Sequence, residues 1–111
     1  MQYRPNEYAS VLGTSLKASF KASYSELIGL FGEPPFIDGP EDKITVEWAI
    51  EDEDGNVFTI YDWKYYFGSV INLAMAGEIE WNVGAHDYEG VGEFLAYIMN
   101  NKAKAAHADV F

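Results

Sequence analysis

Two sets of side chains in this chain combine carboxylates with aromatic rings at spacings that suit recognition. The first lies in residues 43–64, KITVEWAIEDEDGNVFTIYDWK, and comprises Glu47, Glu51, Asp52, Glu53, Asp54, Tyr61 and Trp63. Residues two apart on a strand share a face. Tyr61 and Trp63 would therefore stand together, and carboxylates beside them would suit a basic protein surface. The second set is Tyr61, Trp63, Trp81 and Asn82, which could stack on and hydrogen-bond a nucleotide base. Asp62, between Tyr61 and Trp63, points the other way. A carboxylate turned inward needs a cation or backbone N–H partner.

The chemistry of catalysis is less in evidence. There is no cysteine, so disulfides and thiolate metal sites are excluded. His86 and His107 are 21 residues apart, and the sequence places no convergent ligands around either. There is no nucleophile elbow, phosphate-cradling glycine loop or dinucleotide fingerprint. Asp52, Glu53 and Asp54 do not follow the spacing of a calcium loop and read as a solvated turn. No catalytic residue, metal or cofactor is expected.

The elements that must position these residues can be read from hydrophobic period. Val46, Trp48 and Ile50 alternate with Thr45, Glu47, Ala49 and Glu51, which marks a strand with one apolar face. Val57 to Lys64 is rich in β-branched and aromatic residues and forms its partner. Two registers compete. A two-residue turn on Asp54-Gly55 would set Ile50 against Thr59. A three-residue loop, Glu53-Asp54-Gly55, with Gly55 left-handed, would set Ile50 against Phe58 and Trp48 against Ile60. The second gathers Val46, Trp48, Ile50, Phe58 and Ile60 on one face and is preferred, because a one-residue slip would expose them. Val57, Thr59, Tyr61 and Trp63 then share the opposite face with Glu47 and Glu51.

Residues 1–13 show no period and read as an irregular arm. Leu16, Ala18 and Phe20 alternate with polar residues as a first strand. Ser23-Tyr24-Ser25-Glu26 is a capping box that opens a short helix with Tyr24, Leu27, Ile28 and Phe31 on its apolar stripe. Gly32 and Pro34-Pro35 end it. Residues 33–42 read as a loop. Residues 65–77 allow either a turn or two of helix or an excursion beside a strand. Ile79, Trp81 and Val83 point inward from a further strand. Asp87 is positioned to cap a last helix with Tyr88, Val91, Phe94, Leu95 and Ile98 at helical spacing. Residues 101–111 continue that helix or fray. The order β-α-β-β-β-α predicts a single α+β domain over residues 1–111, an antiparallel sheet of about four strands with two helices on one face.

Eighteen acidic against seven basic residues give a net charge of −11. Such a chain is repelled by nucleic-acid phosphates and suits a partner with a basic surface. No run approaches the roughly 20 apolar residues that span a membrane, and residues 1–7 lack an apolar signal core. The cytoplasm is the expected compartment.

Several segments together resemble a family of small accessory proteins encoded by bacteriophages and prophages. They are Gly13-Thr14-Ser15-Leu16, Tyr24-x-x-Leu27-x-x-x-Phe31-Gly32-Glu33-Pro34, Glu47-Trp48, Asp54-Gly55, Thr59-Ile60-Tyr61-Asp62-Trp63-Lys64 and Trp81-Asn82-Val83-Gly84. The resemblance covers residues 13–84 and brings no catalytic residues with it. It implies an accessory protein acting inside an infected bacterium. The expectation is a non-enzymatic, anti-CRISPR-like or nuclease-inhibiting protein that binds a basic host protein in a nucleic-acid-handling or antiviral defence complex. The alternatives are a sponge for a nucleotide immune signal and an assembly protein, including a homodimer, joined through the second sheet face.

Overall fold

The computed structural model describes residues 2–39, 44–62 and 69–108. The strands are β1 (Tyr3–Pro5), β2 (Ser15–Ser23), β3 (Phe36–Gly39), β4 (Ile44–Asp52), β5 (Val57–Tyr61) and β6 (Glu78–Ala85). The helices are α1 (Tyr24–Phe31), α2 (Val70–Met75) and α3 (Val91–Ala108). The architecture is α+β, as the pattern predicts, with two short strands and one short helix more than expected.

The strands form an antiparallel sheet in the order β1-β4-β5-β6-β2, and β3 also pairs with β4. β1 pairs with residues 50–52 of β4, and β3 with residues 44–47. The two short strands therefore lie end to end along one edge of β4. Neither was legible locally. The pattern predicts an irregular arm over residues 1–13 and a loop over 33–42, but Tyr3 pairs with Asp52, some fifty residues away, and Ile37 with Val46.

The β4–β5 hairpin adopts the three-residue loop. Ile50 pairs with Phe58 and Trp48 with Ile60. Gly55 has φ 85°, and its N–H donates to the Asp52 carbonyl at 3.2 Å. Only glycine takes that conformation without a steric cost from Cβ. Val46, Trp48, Ile50, Phe58 and Ile60 are all buried on the face that carries the helices. Trp81, Val83 and Ala85 from β6 and Phe20 and Ala22 from β2 join them, closed over by Leu27, Phe31, Leu73, Val91, Phe94 and Ile98.

α1 begins as its capping box predicts. The Ser23 hydroxyl accepts from the Glu26 N–H at 3.2 Å, and Glu26 Oε1 accepts from the Ser23 N–H at 2.8 Å. α3 starts later than expected. Asp87 accepts from the Glu89 N–H in a local turn, and Gly90 has φ 75°, which no helix accommodates. Tyr88 consequently stays outside the apolar stripe and is exposed. Leu16 is a second departure. The β2–β6 register shifts between Leu16 and Ala18, so the extra residue turns Leu16 to the far face, opposite Gly84. No helix among the described residues is long and apolar enough to cross a membrane.

Candidate functional site

The sheet face turned away from the helices carries a polar row. Register places Glu47, Tyr61, Asn82 and Ser19 side by side on β4, β5, β6 and β2. Each sits at an alternate position from a core residue, so the burial of Trp48, Ile60 and Trp81 obliges this row to face outward. Ser19 Oγ donates to Glu80 Oε1 at 2.8 Å, and Asn82 Nδ2 donates to the Tyr61 carbonyl at 3.5 Å. Glu51 lies four residues beyond Glu47 on the same face. Glu47, Glu51, Tyr61 and Asn82 are half-buried.

Tyr61 leans across the sheet toward Gly84. A Cβ on Gly84 would stand 3.6 Å from Tyr61 Cε1 and only 2.5 Å from Thr59 Oγ1. The bare backbone there is what lets the ring lie close to the sheet. Burial, and then the neighbouring Glu47 carboxylate, pushes the Tyr61 hydroxyl above its ordinary value. It is thus a neutral group that both donates and accepts at neutral pH.

The predicted partner-binding residues divide. Glu47, Glu51 and Tyr61 share the outward face. Trp63 lies outside the described residues. Glu53 and Asp54 are exposed at the hairpin tip. The sequence predicts Asp52 beside them as a surface carboxylate, but it is buried on the opposite side of the strand. Its Oδ1 accepts from the N–H groups of Asp54 and Asn56, each at 2.9 Å, and its Oδ2 from Asn56 Nδ2 at 2.9 Å. Its carboxylate organises the turn.

The proposed base-stacking set does not assemble either. Trp81 is fully buried on the helix-covered face and donates its indole N–H to the Ala22 carbonyl at 2.9 Å. Tyr61 and Asn82 are on the other side of the sheet. Asp62 is turned inward as expected, and its Oδ1 accepts from the N–H groups of Thr45 at 2.7 Å and Val46 at 3.2 Å. Those bonds tie the end of β5 to the start of β4. His86 is exposed, with Nε2 2.9 Å from the Ser10 carbonyl, and joins the 6–14 segment to the end of β6. Among the described residues no group of three or more His, Asp or Glu could hold a metal ion.

Residues from β1 complete the neighbourhood of the hairpin tip, and sequence reasoning missed them. Arg4 stands opposite Glu51, its Nη2 3.6 Å from Glu51 Oε1. Asn6 Nδ2 donates to Glu51 Oε2 at 3.3 Å, and the Gln2 N–H donates to Glu53 Oε1 at 2.6 Å. Nothing local in Tyr3-Arg4-Pro5 signals this, because the contacts exist only once β1 pairs with β4. No protein-family model matches the chain, and a search of curated proteins finds no match.

Proposed function

We propose that this chain is a non-enzymatic binding protein that engages a basic surface of a protein partner through the outward sheet face. The observation that carries the reading is the Glu47–Tyr61–Asn82 row, a half-buried aromatic ring flanked by a carboxylate and an amide on a sheet face over which, among the described residues, no helix lies. A tyrosine already held by its neighbours loses little side-chain entropy on binding, and rigid aromatic anchors of this kind dominate interface energies. Glu47 beside it, with Glu51 and Glu80 farther along the same face, makes the face negative, which steers a basic partner and repels phosphate.

The resemblance to phage accessory proteins supports a bacterial host protein as the partner, and the net charge of −11 supports one whose own ligand is nucleic acid. The protein then acts in the host cytoplasm, where its acidic face occupies a basic groove of a nucleic-acid-handling or defence complex. The nucleotide-sponge alternative has less support, since Trp81 is buried away from Tyr61 and Asn82.

The test is co-purification from bacterial lysate with the wild-type chain, Tyr61→Ala and Glu47→Lys in parallel. The reading expects a basic host protein that wild type retains, that rising salt releases and that both variants lose. Recovery of no host protein, or equal recovery by all three chains, would count against it.

A further inference from the structure

Between Asn6 and Thr14 the chain passes from one edge of the sheet to the other, because β1 lies beside β4 and β2 lies beyond β6. Four strand spacings of about 4.8 Å separate those edges, and nine extended residues reach about 30 Å, so the crossing has room for the two turns it contains. Its contacts place it on the face away from the helices. At one side the Asn6 N–H donates to the Ala49 carbonyl at 2.9 Å, and the Asn6 side chain donates to Glu51. At the other, His86 Nε2 lies 2.9 Å from the Ser10 carbonyl, and a Cβ on Gly13 would stand 3.6 Å from His86 Nδ1. Glu51 follows the core residue Ile50, and His86 follows Ala85, so both belong to the outward face.

The sheet beneath this segment is notched. Register sets Ala49, Thr59 and Gly84 side by side on β4, β5 and β6. Side chains this small leave their neighbours open to water unless something lies over them. Ala49 is nevertheless 1% exposed and Thr59 2%, and Val57, one row nearer the hairpin tip, is also buried.

The cover is weakly held. The Ala9 N–H donates to the Asn6 carbonyl and the Thr14 N–H to the Val11 carbonyl, both within the crossing. Among the described residues, the one hydrogen bond that ties residues 7–13 to the rest of the protein is that between Ser10 and His86. The two largest apolar side chains of the crossing, Tyr8 and Leu12, are 87% and 86% exposed and contribute little packing. Segments with few buried apolar contacts and few bonds to the core open at free energies well below that of global unfolding.

We infer that residues 7–14 form a displaceable strap, which opens while the sheet stays folded and uncovers Ala49, Val57 and Thr59 beside Tyr61. Closed, the strap confines a partner to the Glu47–Tyr61–Asn82 row. Open, the face continues from that row to Glu51, and the basic protein partner occupies the uncovered strip. The strap is thus an autoinhibitory contact. That gating role rests on the protein-binding reading above, whereas the opening itself does not.

The chain has no cysteine, so a single introduced thiol reports the opening directly. Thr59→Cys places it under the strap, and Val83→Cys places one in the core, where no local opening should reach it. Each variant is treated with iodoacetamide under native conditions, and its rate is divided by its own rate in denaturant. Thr59→Cys should react at least about tenfold faster than Val83→Cys. Adding His86→Ala, which removes the tie to Ser10, should speed the Thr59→Cys reaction severalfold and leave that of Val83→Cys unchanged. Equal protection of the two thiols, or equal acceleration of both by His86→Ala, would overturn the strap, because either shows that the strip opens only with the whole fold. Val57→Cys gives the same readout if Thr59→Cys does not fold. No partner enters this experiment. A strap that stays shut leaves a Tyr61-dependent partner standing, and a strap that opens stands even where no host protein is recovered.

Discussion

The indole rings of Trp48 and Trp81 meet edge to face across the sheet, with centroids 5.7 Å apart and planes at 66°. Both are fully buried, and each spends its N–H on a backbone carbonyl at 2.9 Å, Trp48 on Gly32 and Trp81 on Ala22. One bond fixes the C-terminal end of α1 to β4, and the other fixes β2 to β6. The pair thus joins the two halves of the fold at its centre. Trp81→Phe should lower stability by about 2–4 kcal/mol, combining lost volume with an orphaned buried carbonyl. Denaturant unfolding followed by circular dichroism measures this. A cost below about 1 kcal/mol would show that the pair is not the central tie described here.

Asp52 should behave as a structural residue although it sits in an acidic run. Its three accepted hydrogen bonds all lie within the turn. Asp52→Ala should destabilise the protein by about 2–3 kcal/mol, whereas Asp54→Ala, at an exposed position, should change stability by less than about 0.5 kcal/mol. Thermal unfolding of the two variants side by side distinguishes them.

Alkaline pH should weaken the fold through its tyrosines. The hydroxyls of Tyr3, Tyr24 and Tyr61 are each raised above the ordinary 10.0, with burial the largest cause. The folded state holds these protons more tightly than the unfolded state does. The associated stability is complete below pH 10 and is lost as pH rises through the elevated folded values. Tyrosinate absorbance should show Tyr61 titrating late, and Glu47→Gln should bring it earlier by removing the second cause.

Lys102 should matter more than a charged helix residue ordinarily does. Its side chain is 14% exposed and donates to the Lys21 carbonyl at 2.8 Å, with Glu78 at 3.7 Å and Glu26 at 3.9 Å. It joins α3 to β2, a terminal strand of the sheet, and to the start of α1. Lys102→Met keeps the stem and removes the charge, and should cost about 1–2 kcal/mol in chemical denaturation. Because Lys102 occupies a carbonyl of a terminal strand, light scattering should also show more concentration-dependent association in the variant than in wild type.

Much of this architecture was present in local pattern. The β4–β5 register followed from requiring Trp48, Ile50, Phe58 and Ile60 to share one face, and Gly55 supplied the left-handed turn that this register needs. The capping box fixed the start of α1. Tyr61 was assigned to the outward face by the same alternation. The failures also have local causes. A single extra residue at Lys17 reversed Leu16, and the positive φ of Gly90 delayed α3, neither of which alters the hydrophobic count along the chain.

By itself, then, the sequence determined that Val46, Trp48, Ile50, Phe58 and Ile60 share the inner face of the central hairpin and that Glu47 and Tyr61 share the other, because alternation and turn chemistry act over a few residues. Only the tertiary structure decided which carboxylates face solvent and what they face. Asp52 and Asp54 are alike in sequence, but one is buried on the helix-covered face, close to Gly90, and the other is exposed. The Arg4–Glu51 pair on the outward face and the packing of Tyr3 against Phe94 and Tyr97 on the inner face both depend on a three-residue strand that forms no recognisable unit alone. Contacts across some fifty residues leave no local period, because they are set by where the chain returns rather than by what its neighbours are.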